Sequence, residues 1–145
     1  MKQITLEEYA MKRDLLFPEE WELARPNAII LLEKVNAFLA DVRIELEWNW
    51  EAVVSSGFRP SKPNAAASGA KASGHLFGTA VDLMDKNNHF KLAFEPLIRP
   101  DHAGLLRRHG LFMEHPAWTI GENGKGWVHL DMIKRIDRPT RVFKP

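Results

Sequence analysis

SGHLFGTAVDLM, residues 73–84, places small residues and a histidine just before a run in which side-chain character alternates. From Gly78 to Met84 the period is two. Ala80 and Asp82 point one way, and Thr79, Val81 and Leu83 point the other, as in a strand with one face on a core. A second stretch, WVHLDM at 127–132, alternates as cleanly. Trp127, His129 and Asp131 share one face, and Val128, Leu130 and Met132 share the opposite one, which must be turned inward. If the two strands pair, Asp82 and His129 project from the same polar face a few ångströms apart.

Outward from these strands the chain is read as helices and short connections. Thr5 with Glu8 makes a capping-box pattern for a first helix extending to about Phe17, before Pro18. A core helix is expected to open at Pro26 and Asn27, with Leu31, Val35, Phe38, Leu39 and Val42 on one stripe. AVVSS, ending at Ser56, reads as a short buried strand leading into Gly57, Phe58, Arg59 and Pro60. Residues 61–74 are rich in Ser, Ala, Gly, Pro, Asn and Lys and lack apolar periodicity, which predicts an active-site loop. Asp101 is expected to cap a short helix that Gly110 stops, and Leu111 to Met113 reads as a strand at the sheet edge. This order predicts an α+β domain, with helices packed on an antiparallel sheet and residues 1–145 forming a single unit.

Composition narrows the function. With 145 residues one continuous core is feasible. A net charge of +1 and no basic cluster interleaved with aromatics argue against nucleic acid as a partner, and no apolar run is long enough for a membrane. There is no cysteine, so thiolate ligands, disulfides and a cysteine nucleophile are excluded, and any metal must use His and carboxylates. The first ten residues, MKQITLEEYA, carry acids where an export signal needs an apolar stretch, so a cytoplasmic product is expected.

A hydrolytic zinc ion needs three protein ligands and an open position for water. His75, Asp82 and His129 can supply that set, with His75 entering from the turn before the first strand and Gly74, Gly78 and Ala80 leaving room around it. Any one of six histidines is more often a surface or hydrogen-bonded residue than a ligand. An aspartate inside a strand of apolar and small residues is costly unless something pairs with it, and a metal would account for Asp82.

The segment Ser73, His75, Gly78, Ala80 and Asp82 resembles the S-x-H-x-x-G-x-A-x-D signature of zinc D-alanyl-D-alanine peptidases. That group includes carboxypeptidases, dipeptidases and phage endolysins, and shares its fold with the signalling domain of hedgehog proteins. SGFRP at 56–60 is similar to the family's S-G-[YF]-R segment, and Trp127, Val128 and His129 are similar to its W-x-H. The resemblance implies one zinc on His75, Asp82 and His129, and a substrate in the peptide stem of peptidoglycan. It also supports a role for Arg59 in holding a substrate carboxylate or the oxyanion of the transition state, a position where a structural salt bridge is the bland alternative.

The family's common acid three residues before the last histidine is missing: that position is Gly126. A general base is still needed. Glu114, after the Leu111 to Met113 strand, is preferred over Glu122 in the glycine-rich loop, because a strand holds a carboxylate rigidly. Asp131 is expected to orient His129 or Arg59. Ser73 is a candidate substrate contact, although a serine before a turn more often satisfies backbone amides, and Trp127 is a candidate wall of the cleft. Trp118 is assigned to packing. Of the remaining histidines only His115 is retained as a possible catalytic aid. The expected activity is hydrolysis of an amide next to a D-amino acid, by a monomer that reaches the wall after release, as a phage lysis or virion protein would. A zinc-binding module of the same fold that has lost its chemistry is the alternative.

Overall fold

The computed structural model describes residues 2–66, 73–135 and 140–145. The helices are α1 (Leu6–Ala10), α2 (Arg13–Leu16), α3 (Pro18–Glu45), α4 (Ser61–Ala66), α5 (Gly74–Phe77), α6 (His89–Phe94) and α7 (Pro100–Arg108). The strands are β1 (Val54–Ser56), β2 (Ala80–Lys86), β3 (Phe112–Glu114), β4 (Lys125–Asp131) and β5 (Val142–Phe143), in the order β1-β2-β4-β3-β5. Only the β3–β5 pairing is parallel, so the fold is α+β with a mostly antiparallel sheet.

The capping box forms as expected: Thr5 Oγ1 accepts from the Glu8 amide, and the Glu8 carboxylate accepts from the Thr5 amide. The first helix ends early, however, at Met11 and Lys12, both at positive φ, and resumes as α2. The core helix begins at Pro18 rather than Pro26. Pro18 occupies the first turn, where its missing N–H costs nothing, and Pro26 lies inside the helix. Trp21, Ala24 and Ala28 extend the buried stripe across Pro26 to Leu31, Val35, Phe38, Leu39 and Val42, so tertiary burial outweighs the lost backbone bond.

Five further expectations are corrected. The AVVSS strand is a half-buried edge, β1, rather than a buried one. Part of the expected 61–74 loop is helical: α4 at its start and the first residue of α5 at its end, with residues 67–72 outside those described. The Leu111 to Met113 segment is not the sheet edge, because β5 covers β3. Asp101 does not cap α7, whose N-cap is Arg99 with Pro100 next; Asp101 sits in the first turn, where its charge suits the helix dipole. Trp118, assigned to packing, is 56 % exposed.

The core lies between α3 and the inner face of the sheet, where Val81, Leu83, Val128, Leu130 and Met113 are fully buried. The opposite face of β2 and β4 carries Asp82, His129 and Asp131, followed along the ladder by Met84 with Trp127 and by Lys86 with Lys125. Among the described residues no helix is long and apolar enough to cross a membrane.

Candidate metal centre and cleft

Each strand of the central ladder supplies one residue in direct opposition: Asp82 of β2 is paired with His129 of β4. Asp82 Oδ1 lies 2.7 Å from His129 Nδ1, and Asp82 Oδ2 lies 3.3 Å from His75 Nε2. The ligand atoms of the three residues all fall within 4.8 Å of one another. The anticipated convergence of His75, Asp82 and His129 is thus present in the fold.

His75 is held by its own short helix. Ser73 caps α5 by accepting the His75 amide on its hydroxyl, and Gly78 ends the helix at φ 75° with its Cα packed against the backbone of α3. The His75 ring places Nδ1 2.8 Å from the carbonyl oxygen of Gly57. A carbonyl can only accept, so Nδ1 carries the proton on that side, and Nε2 is the ring nitrogen turned towards Asp82. Gly57 can approach this closely because it has no Cβ, which would stand 2.0 Å from the Tyr9 carbonyl oxygen.

His129 lies between two carboxylates, Asp82 at Nδ1 and Asp131 Oδ2 at 3.8 Å from Nε2. Burial works against its charge, but the neighbouring carboxylates of Asp131 and Asp82, with Glu114 adding field, raise it to about 9. For Asp82 burial favours the neutral acid, and the bonds from His129 and His75 overcome it and hold the carboxylate well below the usual range. With no cation the cluster therefore keeps a proton on His129. A divalent ion can replace that proton at Nδ1 while Asp131 keeps the one on Nε2, so the donor set fits a zinc with two nitrogens and a carboxylate. Asp131, expected to orient His129 or Arg59, has its carboxylate on the His129 side of the cluster.

Arg59 donates from Nη2 to Ser56 Oγ at 2.9 Å, with the same nitrogen 3.8 Å from Asp82 Oδ2. It is tied to the cluster's edge rather than turned away to solvent. Glu114 is half-buried at the end of β3. The β3–β4 register sets Phe112 opposite Asp131 and Met113 opposite Leu130, which brings Glu114 level with His129 on the same face. Glu122 is exposed in a 3-10 turn ahead of β4. Gly126 belongs to the other face of β4, opposite Asp85; a Cβ there would stand 2.2 Å from Asn88 Oδ1 and 3.1 Å from Lys91 Nζ. The regular strand from Lys125 to Asp131 thus leaves no path for an acid at 126 to reach the histidines. His115 accepts the Ala117 amide on Nδ1 and caps a 3-10 turn.

Two supports escaped the sequence reading. Tyr9, the only tyrosine, is fully buried and donates its hydroxyl to the Ala80 carbonyl at 2.9 Å, bracing β2 two residues from Asp82. Lys91 is buried in α6, where its ammonium donates to the carbonyls of Thr119 at 2.6 Å and Trp127 at 2.8 Å and lies 3.9 Å from Asp85. Its only sequence signal was a lysine between two phenylalanines, since Phe90 and Lys91 are followed by Leu92 and Phe94.

A cleft of about 570 Å³ opens beside the cluster, reaching Asp82 and lined by Ser55, Met84, Lys86, Lys125 and Trp127 among others. Two imidazoles and a carboxylate beside such a cleft are a donor set that could hold a metal ion. Residues 17–110 match the family model Peptidase M15, and the chain belongs to that family. Its members are zinc-dependent peptidases, so the class is that of a metallopeptidase acting on a peptide. The match takes in Arg59, His75 and Asp82 and stops before Trp127 and His129. No curated protein matches the chain.

Proposed function

We propose that the protein is a zinc peptidase that hydrolyses an amide next to a D-amino acid in the peptidoglycan stem peptide, as a D,D-carboxypeptidase or an endopeptidase. The observation that carries this reading is the convergence of His75, Asp82 and His129 beside an open cleft, in a chain of the Peptidase M15 family. Zinc bound by these residues would supply a Lewis acid and lower the pKa of a water molecule.

The protein's own groups divide the remaining work. His75 keeps Nε2 aimed at the site because Nδ1–H is fixed on Gly57. Asp131 holds the far nitrogen of His129. Glu114 takes the proton of the attacking water and passes it to the leaving amine. The Arg59 guanidinium stabilises the oxyanion or a substrate carboxylate. Ser73, although engaged with the His75 amide, still has a hydroxyl proton to donate to substrate, and Trp127 forms one wall of the cleft.

The reading of an inert zinc module rests on the resemblance to the hedgehog signalling domain and on the missing acid at Gly126. With that position on the opposite face of β4, its identity carries no information about lost chemistry. Mass spectrometry of muropeptides after incubation tests the proposal: shortened or cut stems that disappear with a chelator and return with zinc are expected. Intact stems with zinc-loaded protein, or cleavage insensitive to chelation, would overturn it. Clearing of cell walls by protein added from outside tests whether it works after release, as a phage lysis protein would.

A further inference from the structure

Three cross-strand pairs follow one another along the polar face of the β2–β4 ladder: Asp82 with His129, Met84 with Trp127, and Lys86 with Lys125. The face therefore runs from the candidate metal centre, over an apolar step, to two ammonium groups. The same cleft is lined by Asp82, Met84, Trp127 and both lysines. Met84 is 51 % exposed and lies beside Trp127 on the cleft wall, an apolar surface between the two polar ends of the face.

Like charges placed directly opposite each other weaken a ladder. Lys86 and Lys125 are both exposed, and among the described residues neither has a carboxylate partner. The pair is not one patch of a generally basic surface, because the whole chain carries a net charge of only +1. Alternate residues on one face of a strand are roughly 6.6 Å apart, which puts the lysines about 13 Å from Asp82, or about four residues of extended peptide.

We propose that Lys86 and Lys125 form an anion subsite that selects acidic peptides, gripping a carboxylate about 13 Å from the scissile amide while the substrate crosses the Met84–Trp127 step. This rests on the peptidase reading above. The distance separates this anion from the terminal carboxylate of a single leaving residue, which lies next to the cut bond and within the range of Arg59. The subsite therefore reads a carboxylate carried further along the substrate, as on an acidic side group of a stem peptide.

The test uses the full chain and two fluorescent synthetic stem pentapeptides, identical except that the second residue carries a free α-carboxylate or its amide. Binding is followed by anisotropy with and without zinc, hydrolysis by mass spectrometry, and folding by thermal melting. Wild type should bind the carboxylate form about fivefold or more tighter, with the difference shrinking in high salt. Lys86→Gln and Lys125→Gln should each lose part of that preference, and the double variant all of it. The double variant should melt no lower than wild type, since a repulsion is removed. Equal binding of the two peptides by wild type, or a preference that survives in the double variant, would overturn the subsite. A preference abolished by the double substitution supports the subsite even where neither peptide is cut, a result that would count against the peptidase reading alone.

Discussion

The Nδ1 atom of His75 lies 2.8 Å from the carbonyl oxygen of Gly57, so the backbone at the end of β1 decides which nitrogen of the histidine faces Asp82. That contact depends on Gly57 packing against Tyr9, whose carbonyl oxygen also accepts the Phe58 amide at 2.9 Å. Gly57→Ala should push these segments apart. Zinc affinity is expected to fall by about 10–100-fold, the usual effect of losing a partner that orients a metal ligand. Isothermal titration with zinc reads it, and unchanged affinity in a folded variant would show that the carbonyl does not orient the ring.

Glu114 and Glu122 differ in how they are held, one in a strand beside His129 and the other in an exposed turn. Glu114→Gln should lower kcat by about 10²–10⁴-fold with zinc still bound, whereas Glu122→Gln should leave it within about twofold. Steady-state hydrolysis of a stem peptide distinguishes them. The reverse ranking would move the base to the loop.

Restoring the family's common acid should not help. Gly126→Glu would drive a side chain into Asn88 and towards the buried Lys91 ammonium, behind the sheet from the histidines. The variant is expected to lose about 1–3 kcal/mol of stability by overpacking and to gain no activity. Denaturant melts and an activity assay check both halves. A gain in kcat would mean that β4 departs from its regular alternation here.

The pH response should change sign with metal. In chelated protein His129 is raised from 6.5 to about 9 by Asp131 and Asp82, against the opposing effect of burial. A raised histidine contributes stability that is complete below about pH 6.5 and lost as pH rises through about 9. The melting temperature of chelated protein should therefore fall across that window. With zinc in excess it should rise over the same range, because protons then compete with the metal for Nδ1. Calorimetry from pH 6 to 9.5 reads both curves, and a chelated protein that grows more stable with rising pH would contradict the coupling.

What the sequence made legible follows from periodicity. The alternation in 78–84 and 127–132 was enough to set Asp82 and His129 on one face, and the register bears it out. Helix boundaries were harder, because Pro26 signals a start locally while the buried Trp21 and Ala24 extend α3 through it, a tertiary effect. The low-complexity stretch after Pro60 lacked apolar periodicity, yet α4 forms there with Asn64 buried and its amide bonded to the Pro60 carbonyl. Tyr9 and Lys91 were missed because their partners lie at Ala80, Thr119 and Trp127, far along the chain, and no local pattern marks such contacts.

Metal content, measured by elemental analysis of wild type and of His75→Ala, Asp82→Ala and His129→Ala, bears most directly on the three-residue zinc site. One zinc per chain in wild type, with roughly a tenth or less in each variant that still folds, is the expected result. Wild-type protein that takes up no stoichiometric zinc, or variants that retain it in full, would contradict the site.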